Sequence, residues 1–249
     1  MKNTLVIQSH RSPLPHAWLK PCMDSVQEWA HLQGYAYRYT GDEIFDRIAP
    51  QLRAKTAHQM VVASDLARLL EMRSALEENY TCVVWCDADF LVFAPEALVL
   101  GDESYGFGRE VWIQAAKNLS SRPKAYIKIH NAFMYYRRNN PFLSFYINSI
   151  QKMMHQHKGP FAPQFAGPKF LSAIHNITTQ PVVENACMLS PMVIKDLVHN
   201  GGAALSLFLE LSPAPPAGVN LCASLANEEI SNGEIEQAIE HLLSAGQVT

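Results

Sequence analysis

The sequence predicts an α/β fold, a mainly parallel sheet flanked by helices. Two observations predict it. Short apolar runs alternate with longer segments of helical periodicity over residues 1–90. A chain of 249 residues, 48% hydrophobic and 17% charged, also has enough apolar side chains for one large core. Strand, helix, strand, helix, strand in that order implies right-handed βαβ units, in which successive strands run parallel.

Each element has a local reason. The run "NTLVIQS" (3–9) reads as the first strand. Residues 18–33 read as a helix stopped by Gly34, and "YAYRY" (35–39) alternates like a second strand. Over 56–78 the apolar residues Val62, Leu66, Leu69 and Leu76 recur at helical spacing, and "TCVVW" (81–85) is a buried strand running straight into acids. Further on, "YGFGREVWIQ" (105–114) and "AYIKIHNAFMYYR" (125–137) are strand candidates. "NPFLSFYINSIQKMMHQH" (140–157) is a helix with Pro141 near its first turn, and "GPFAPQFAGP" (159–168) is a loop by its Gly and Pro content. The sequence predicts a single domain over 1–249. Within it, the Pro-rich stretch "SPAPPAG" (212–218) links to a C-terminal amphipathic helix with Ile235, Ile239, Leu242 and Leu243 on one side.

A formal charge of −3 gives no overall attraction to nucleic acid, and no partner of that kind is expected. No apolar run reaches the roughly 18 residues of a membrane span. The opening residues have too short an apolar core for a secretory signal. Five cysteines without a CxxC pair fit reduced thiols, so a cytoplasmic location is expected. Within 109–169 nearly every ionisable residue is basic (Lys117, Arg122, Lys124 and Lys128 among them), with Glu110 the lone acid. This segment is either a solvated face or a field for a phosphorylated small ligand.

The informative stretch is "VVWCDADFLVF" (83–93), where Asp87 and Asp89 interrupt a greasy run. On a continuing strand they would share a face, about 6.5–7 Å apart along the chain. Ligands of open α/β sheets bind beyond the carboxyl ends of the strands. Two hard oxygen donors there suit Mn²⁺ or Mg²⁺, which completes its shell with waters and substrate phosphates. An exposed acidic turn is the plainer reading. Upstream, Asp65 and Arg68 stand three apart on a helix and so share a face. They form either an intrahelical ion pair, worth roughly 0.2–0.5 kcal/mol, or an acceptor and a donor fork for sugar hydroxyls. A phosphohydrolase of the haloacid dehalogenase type also opens on such an acid pair, but it requires a later acidic cluster. After Asp89 the aspartates are Asp102 and Asp196, with no acidic cluster around either.

"SDLARL" (64–69) followed by "WCDADFLVF" (85–93) resembles the DXD sugar transferases of glycosyltransferase family 32 and their relatives, which have the GT-A fold. The similarity runs through "LVIQSHRSPLP" (5–15), "SVQEWAHLQGYAYRYTGDE" (25–43), "NAFMYYRRNNPFL" (131–143), "AGPKFL" (166–171) and "ENACMLSP" (184–191). This resemblance implies a GT-A-like fold and transfer of a sugar from a nucleotide sugar, UDP- or GDP-linked, with retention of configuration. The acceptor, a glycan, lipid or protein, is left open by the resemblance. Asp87 and Asp89 would hold Mn²⁺ or Mg²⁺ against the diphosphate, and Asp65 and Arg68 would contact the donor sugar. Ile7, Gln8 and Ser9 would lie beside the nucleoside, Asn131 and Ala132 near the transferred sugar, and Gly167 with Pro168 on the acceptor side. One departure stands out. Near the C-terminus, where the family places a histidine followed by a Ser-Trp pair, "VNLCASLA" (219–226) has Asn220, Ser224 and Leu225. Asn220 would then be the third metal ligand, a weaker one. The altered stretch keeps a second expectation open, a non-catalytic nucleotide-sugar or carbohydrate binder on the same fold.

Overall fold

The computed structural model describes residues 2–116 and 122–249. Lys117, one of the basic residues named above, lies outside them. The chain opens with β1 (Lys2–Ser9), α1 (Leu19–Leu32) and β2 (Ala36–Thr40). Helix α1 buries Leu19, Cys22, Met23, Val26, Trp29 and Ala30 along one side. Gly34 then reverses the chain at φ +68, a left-handed conformation that glycine adopts without strain. A 3₁₀ turn (Asp42–Arg47) and the short α2 (Pro50–Lys55), neither legible in the sequence, precede α3 (Met60–Glu77) and β3 (Tyr80–Cys86).

The second half holds β4 (Phe90–Val92), β5 (Tyr105–Gln114), β6 (Lys124–Arg137), α4 (Pro141–Gln156), α5 (Pro168–Thr178), β7 (Val182–Val183) and β8 (Ala186–Met188). It closes with α6 (Pro191–Val198), α7 (Ala203–Leu211), β9 (Gly218–Asn220), a 3₁₀ turn (Ala223–Leu225) and α8 (Asn232–Ala245). Asn140 caps α4, its side chain accepting from the Phe142 and Leu143 N–H groups, with Pro141 in the first turn.

The main sheet has the order β2-β1-β3-β6-β5-β7. Strands β1, β2 and β3 pair in parallel. Strand β6 is antiparallel to both β3 and β5, and β7 is parallel to β5. All strands but β6 therefore point the same way, which makes the sheet mainly parallel. Alternation along the strands sorts its two faces. Leu5, Ile7, Val83, Trp85, Met134 and Tyr136 pack with the apolar side chains of α3 and α4. Val6, Cys82, Val84, Cys86, Phe133 and Tyr135 pack with Val26 and Trp29 of α1 and with Phe90 and Val92 of β4.

A smaller sheet of order β4-β9-β8 lies against α6, α7, α8 and the start of α1. Its middle strand begins at Gly218, so the stretch read as a link runs directly into a buried strand. Ala217 and Gly218 each donate a backbone N–H to the Asn185 carbonyl. The C-terminal helix buries Ile235, Ala238, Ile239 and Leu242, whereas Leu243 is exposed. No helix of the described residues is long and apolar enough to cross a membrane.

Candidate active site

Strand β3 delivers the acid pair to the carboxyl end of the parallel strands. It ends at Cys86, however, so Asp87 and Asp89 do not sit on a continuing strand as expected. They belong to a tight turn closed by the Phe90 N–H on the Asp87 carbonyl at 3.0 Å. The turn is half-buried, and both acids border the same open cavity of about 710 Å³. Ser9, Arg68, Trp85 and Ser224 share that lining.

Each acid has its own set of partners. The Asp87 carboxylate accepts from Arg68 Nη1 at 2.8 Å and from the Trp85 indole N–H at 2.7 Å, both on Oδ1. Its backbone is held as well, the N–H by the Ala132 carbonyl at 2.8 Å and the carbonyl by Gln8 Nε2 at 3.0 Å. Gln8 is itself fixed by the Tyr37 hydroxyl, which donates to Oε1. Asp89 is gripped by the last residue of β9 and the segment that follows it. Asn220 Nδ2 donates to its Oδ1 at 2.6 Å, the Ala223 N–H to its Oδ2 at 2.7 Å, and the Leu221 N–H to its carbonyl at 3.0 Å. Burial and the neighbouring Asp87 charge push the Asp89 carboxyl above the usual carboxylate range, while the Ala223 and Asn220 donors pull it back.

Asn220 reaches the site through Asp89 alone. Its carboxamide oxygen accepts from the Cys222 N–H at 3.0 Å while its nitrogen donates to Asp89. Reversing the amide would set donor against donor and acceptor against acceptor, so both ends fix its orientation. Among the described residues no group of three or more His, Cys, Asp and Glu side chains is arranged to hold a metal.

Behind the cavity wall, α3 carries the second pair. Asp65 is 3% exposed and Arg68 8%, so this is no surface ion pair. Arg68 bridges Asp65, 3.6 Å away, and Asp87, and it donates to the Asn131 carbonyl at 3.2 Å. Asn131 Nδ2 donates to Asp65 Oδ1 at 2.7 Å, while Asp65 Oδ2 is buried without a hydrogen-bond partner. Burial raises the Asp65 carboxyl to about 6, against the lowering influence of Arg68 and Asn131.

Of the residues expected from the sequence, Ser9, Arg68, Asp87 and Asp89 line the cavity. Gln8, Asp65, Asn131 and Ala132 stand directly behind them, and Gly167 packs against Asp65 and Asn131. Ile7 is a fully buried core residue beneath α3, and Pro168 opens α5; neither reaches the cavity. The described basic residues of 109–169 are also away from it. Arg109 instead pairs with Glu184 through Nε and Nη2, each at 2.6 Å, and Arg138 donates to the carbonyls of Leu76 and Tyr80. The cations at the cavity come from elsewhere, Arg11 and Arg53 beside Arg68. Arg11 sits in the loop after β1, and Asp42 and Arg53 in the 3₁₀ turn and α2, whose folding no periodicity reveals. Trp85 was legible only as an apolar strand residue.

No protein-family model and no curated protein sequence matches the chain. Among solved structures, the chain resembles a glycosyltransferase involved in the glycosylation of the major capsid of PBCV-1, at 13% identity and a TM-score of 0.50, over 95% of this chain and 98% of that one. It also aligns with the galactosyltransferase LgtC, solved with donor and acceptor sugar analogues, at 12% identity over 99% of this chain and 96% of that one. The TM-score there is 0.48, short of establishing a shared fold. The likeness to the PBCV-1 enzyme spans nearly the whole of both chains and shows the GT-A-like fold.

Proposed function

We propose that the protein is a glycosyltransferase that takes a sugar from a nucleotide-diphosphate donor with the help of Mn²⁺ or Mg²⁺. One observation carries this reading. Asp87, Asp89 and Arg68 edge a single open cavity at the carboxyl ends of β1 and β3, in a fold shared with a glycosyltransferase. The donor set fits a hard divalent cation, which binds through one or two carboxylates and leaves its other positions to water and phosphate oxygens. Asp87 and Asp89 would hold it, and the raised Asp89 carboxyl marks a charge that a cation would relieve. Asn220 would serve by holding Asp89 in place.

When bound, the metal supplies charge neutralisation for the departing nucleoside diphosphate. The chain's own residues do the rest. Arg68 carries a permanent positive charge at the same wall, and its contacts with Asp65, Asp87 and Asn131 fix the guanidinium before any ligand arrives. Asp65, with one oxygen unpartnered, supplies an acceptor behind the wall. Retention of configuration is the outcome the family resemblance implies.

The test is turnover of UDP- and GDP-sugars in the presence of Mn²⁺, followed as release of nucleoside diphosphate. Asp87→Asn and Asp89→Asn should each abolish it; metal-dependent turnover that survives in both variants would sink the assignment. The engagement of Asn220 with Asp89 and Cys222 favours a second reading, a nucleotide-sugar binder without turnover. Calorimetry separates the two, because a binder takes up the nucleotide sugar with Mn²⁺ yet releases no diphosphate across a panel of acceptors.

A further inference from the structure

We propose that Trp85 is a positioning residue for Asp87: its indole N–H joins the Arg68 guanidinium on one carboxylate oxygen, so that the other faces the cavity. The inference rests on the donor site proposed above. Trp85 Nε1 and Arg68 Nη1 both reach Oδ1, at 2.7 and 2.8 Å. Oδ2 accepts no hydrogen bond from any described residue, and the Asp87 side chain keeps 26% of its exposure. The Asp87 backbone is pinned by Ala132, Gln8 and Phe90, leaving only the side-chain torsions to be set. Two donors converging on a single oxygen set them.

The sequence spacing makes this geometry. Trp85 is the last residue but one of β3 and Asp87 opens the turn that follows; strand alternation puts the indole on the α3 face, where Arg68 also projects. The Arg68 Cζ sits 5.2 Å from the centre of the Trp85 ring, within reach of a cation–π contact. The ring itself is 3% exposed and belongs to the core shared with α3. Phenylalanine at this position would keep an aromatic ring beside Arg68 while removing the N–H together with the second ring of the indole. An aromatic in a buried strand is ordinarily core; here its single polar atom is directed at a carboxylate.

The experiment compares wild type, Trp85→Phe and Asp87→Asn with Mn²⁺ alone as the probe, free Mn²⁺ being read by its paramagnetic resonance signal. Losing a charge-assisted hydrogen bond to the carboxylate should weaken Mn²⁺ binding by Trp85→Phe about tenfold in a variant that stays folded, its metal-free melting temperature lowered by the smaller ring. If Asp87→Asn loses Mn²⁺ while Trp85→Phe binds it like wild type, the positioning role is overturned and the site stands. If wild type itself binds no Mn²⁺, the metal reading fails separately. Trp85 is then judged on the ¹H–¹⁵N indole resonance of the metal-free protein, assigned through Trp85→Phe. A signal displaced by Asp87→Asn supports the role, and one that does not move overturns it.

Discussion

Gly167 shows most directly how one position governs the site. A Cβ there would lie 2.8 Å from Asp65 Oδ2 and 2.9 Å from Asn131 Nδ2, so those two side chains already occupy the space that a side chain at 167 would need. Its φ of −101 is not in the left-handed region that favours glycine, so the constraint is one of contact. Gly167→Ala should therefore push the Asp65–Asn131 pair aside and destabilise the protein by about 1–3 kcal/mol, the usual cost of overfilling a packed region. Denaturant unfolding measures the first effect, and Mn²⁺-dependent donor binding should fall with it. An unchanged midpoint would mean that α5 can back away from α3 at little cost. The residue also explains a limit of sequence reading. A Gly-Pro pair is a turn in most proteins, and only its neighbours across the fold show what its missing side chain makes room for.

At the scale of the element, the C-terminal part of the chain matters more than its composition suggests. Strand β9 joins β4 to β8, and its last residue, Asn220, holds Asp89 together with Leu221 and Ala223 after it. Cys222 sits among them in the left-handed region at φ +53, an unusual conformation for a residue with a side chain, where the Ala223 N–H is presented to Asp89. Helix α8 closes this region and starts with a full capping box: the Ser231 hydroxyl accepts from the Glu234 N–H while the Glu234 carboxylate accepts from the Ser231 N–H. Ser231→Ala should cost about 1 kcal/mol of stability, read as a lowered melting temperature. Because α8 contributes no residue to the cavity lining, metal and donor affinity should be unchanged in that variant. A loss of Mn²⁺ binding there would show that the helix and the clasp on Asp89 move together.

For the molecule as a whole, the cavity exists only because remote parts of the chain meet at one end of the sheet, among them Ser9 after β1, Arg68 on α3, the turn at 87–89 and Ala223 after β9. A ligand that bridges these parts stabilises the folded state over the unfolded one. A nucleoside diphosphate that serves as donor fragment should thus raise the melting temperature with Mn²⁺ present and much less after chelation. Equal shifts with and without metal would argue for binding by Arg68 and its neighbours alone. The sequence by itself determined the βαβ order, the helices α1, α3 and α4, the long strands, and the pairing of two acids with an upstream Asp and Arg. Those are properties of periodicity and spacing, which act over a few residues. Only the tertiary structure decided that the acids lie in a turn and that Asn220 turns its amide to Asp89 and Cys222. Likewise, it alone directed the basic residues of 109–169 to other contacts and Trp85 to Asp87. Each of these depends on which groups a carboxylate or carbonyl meets across the fold, and hydrogen bonds between residues far apart in the chain leave no local pattern.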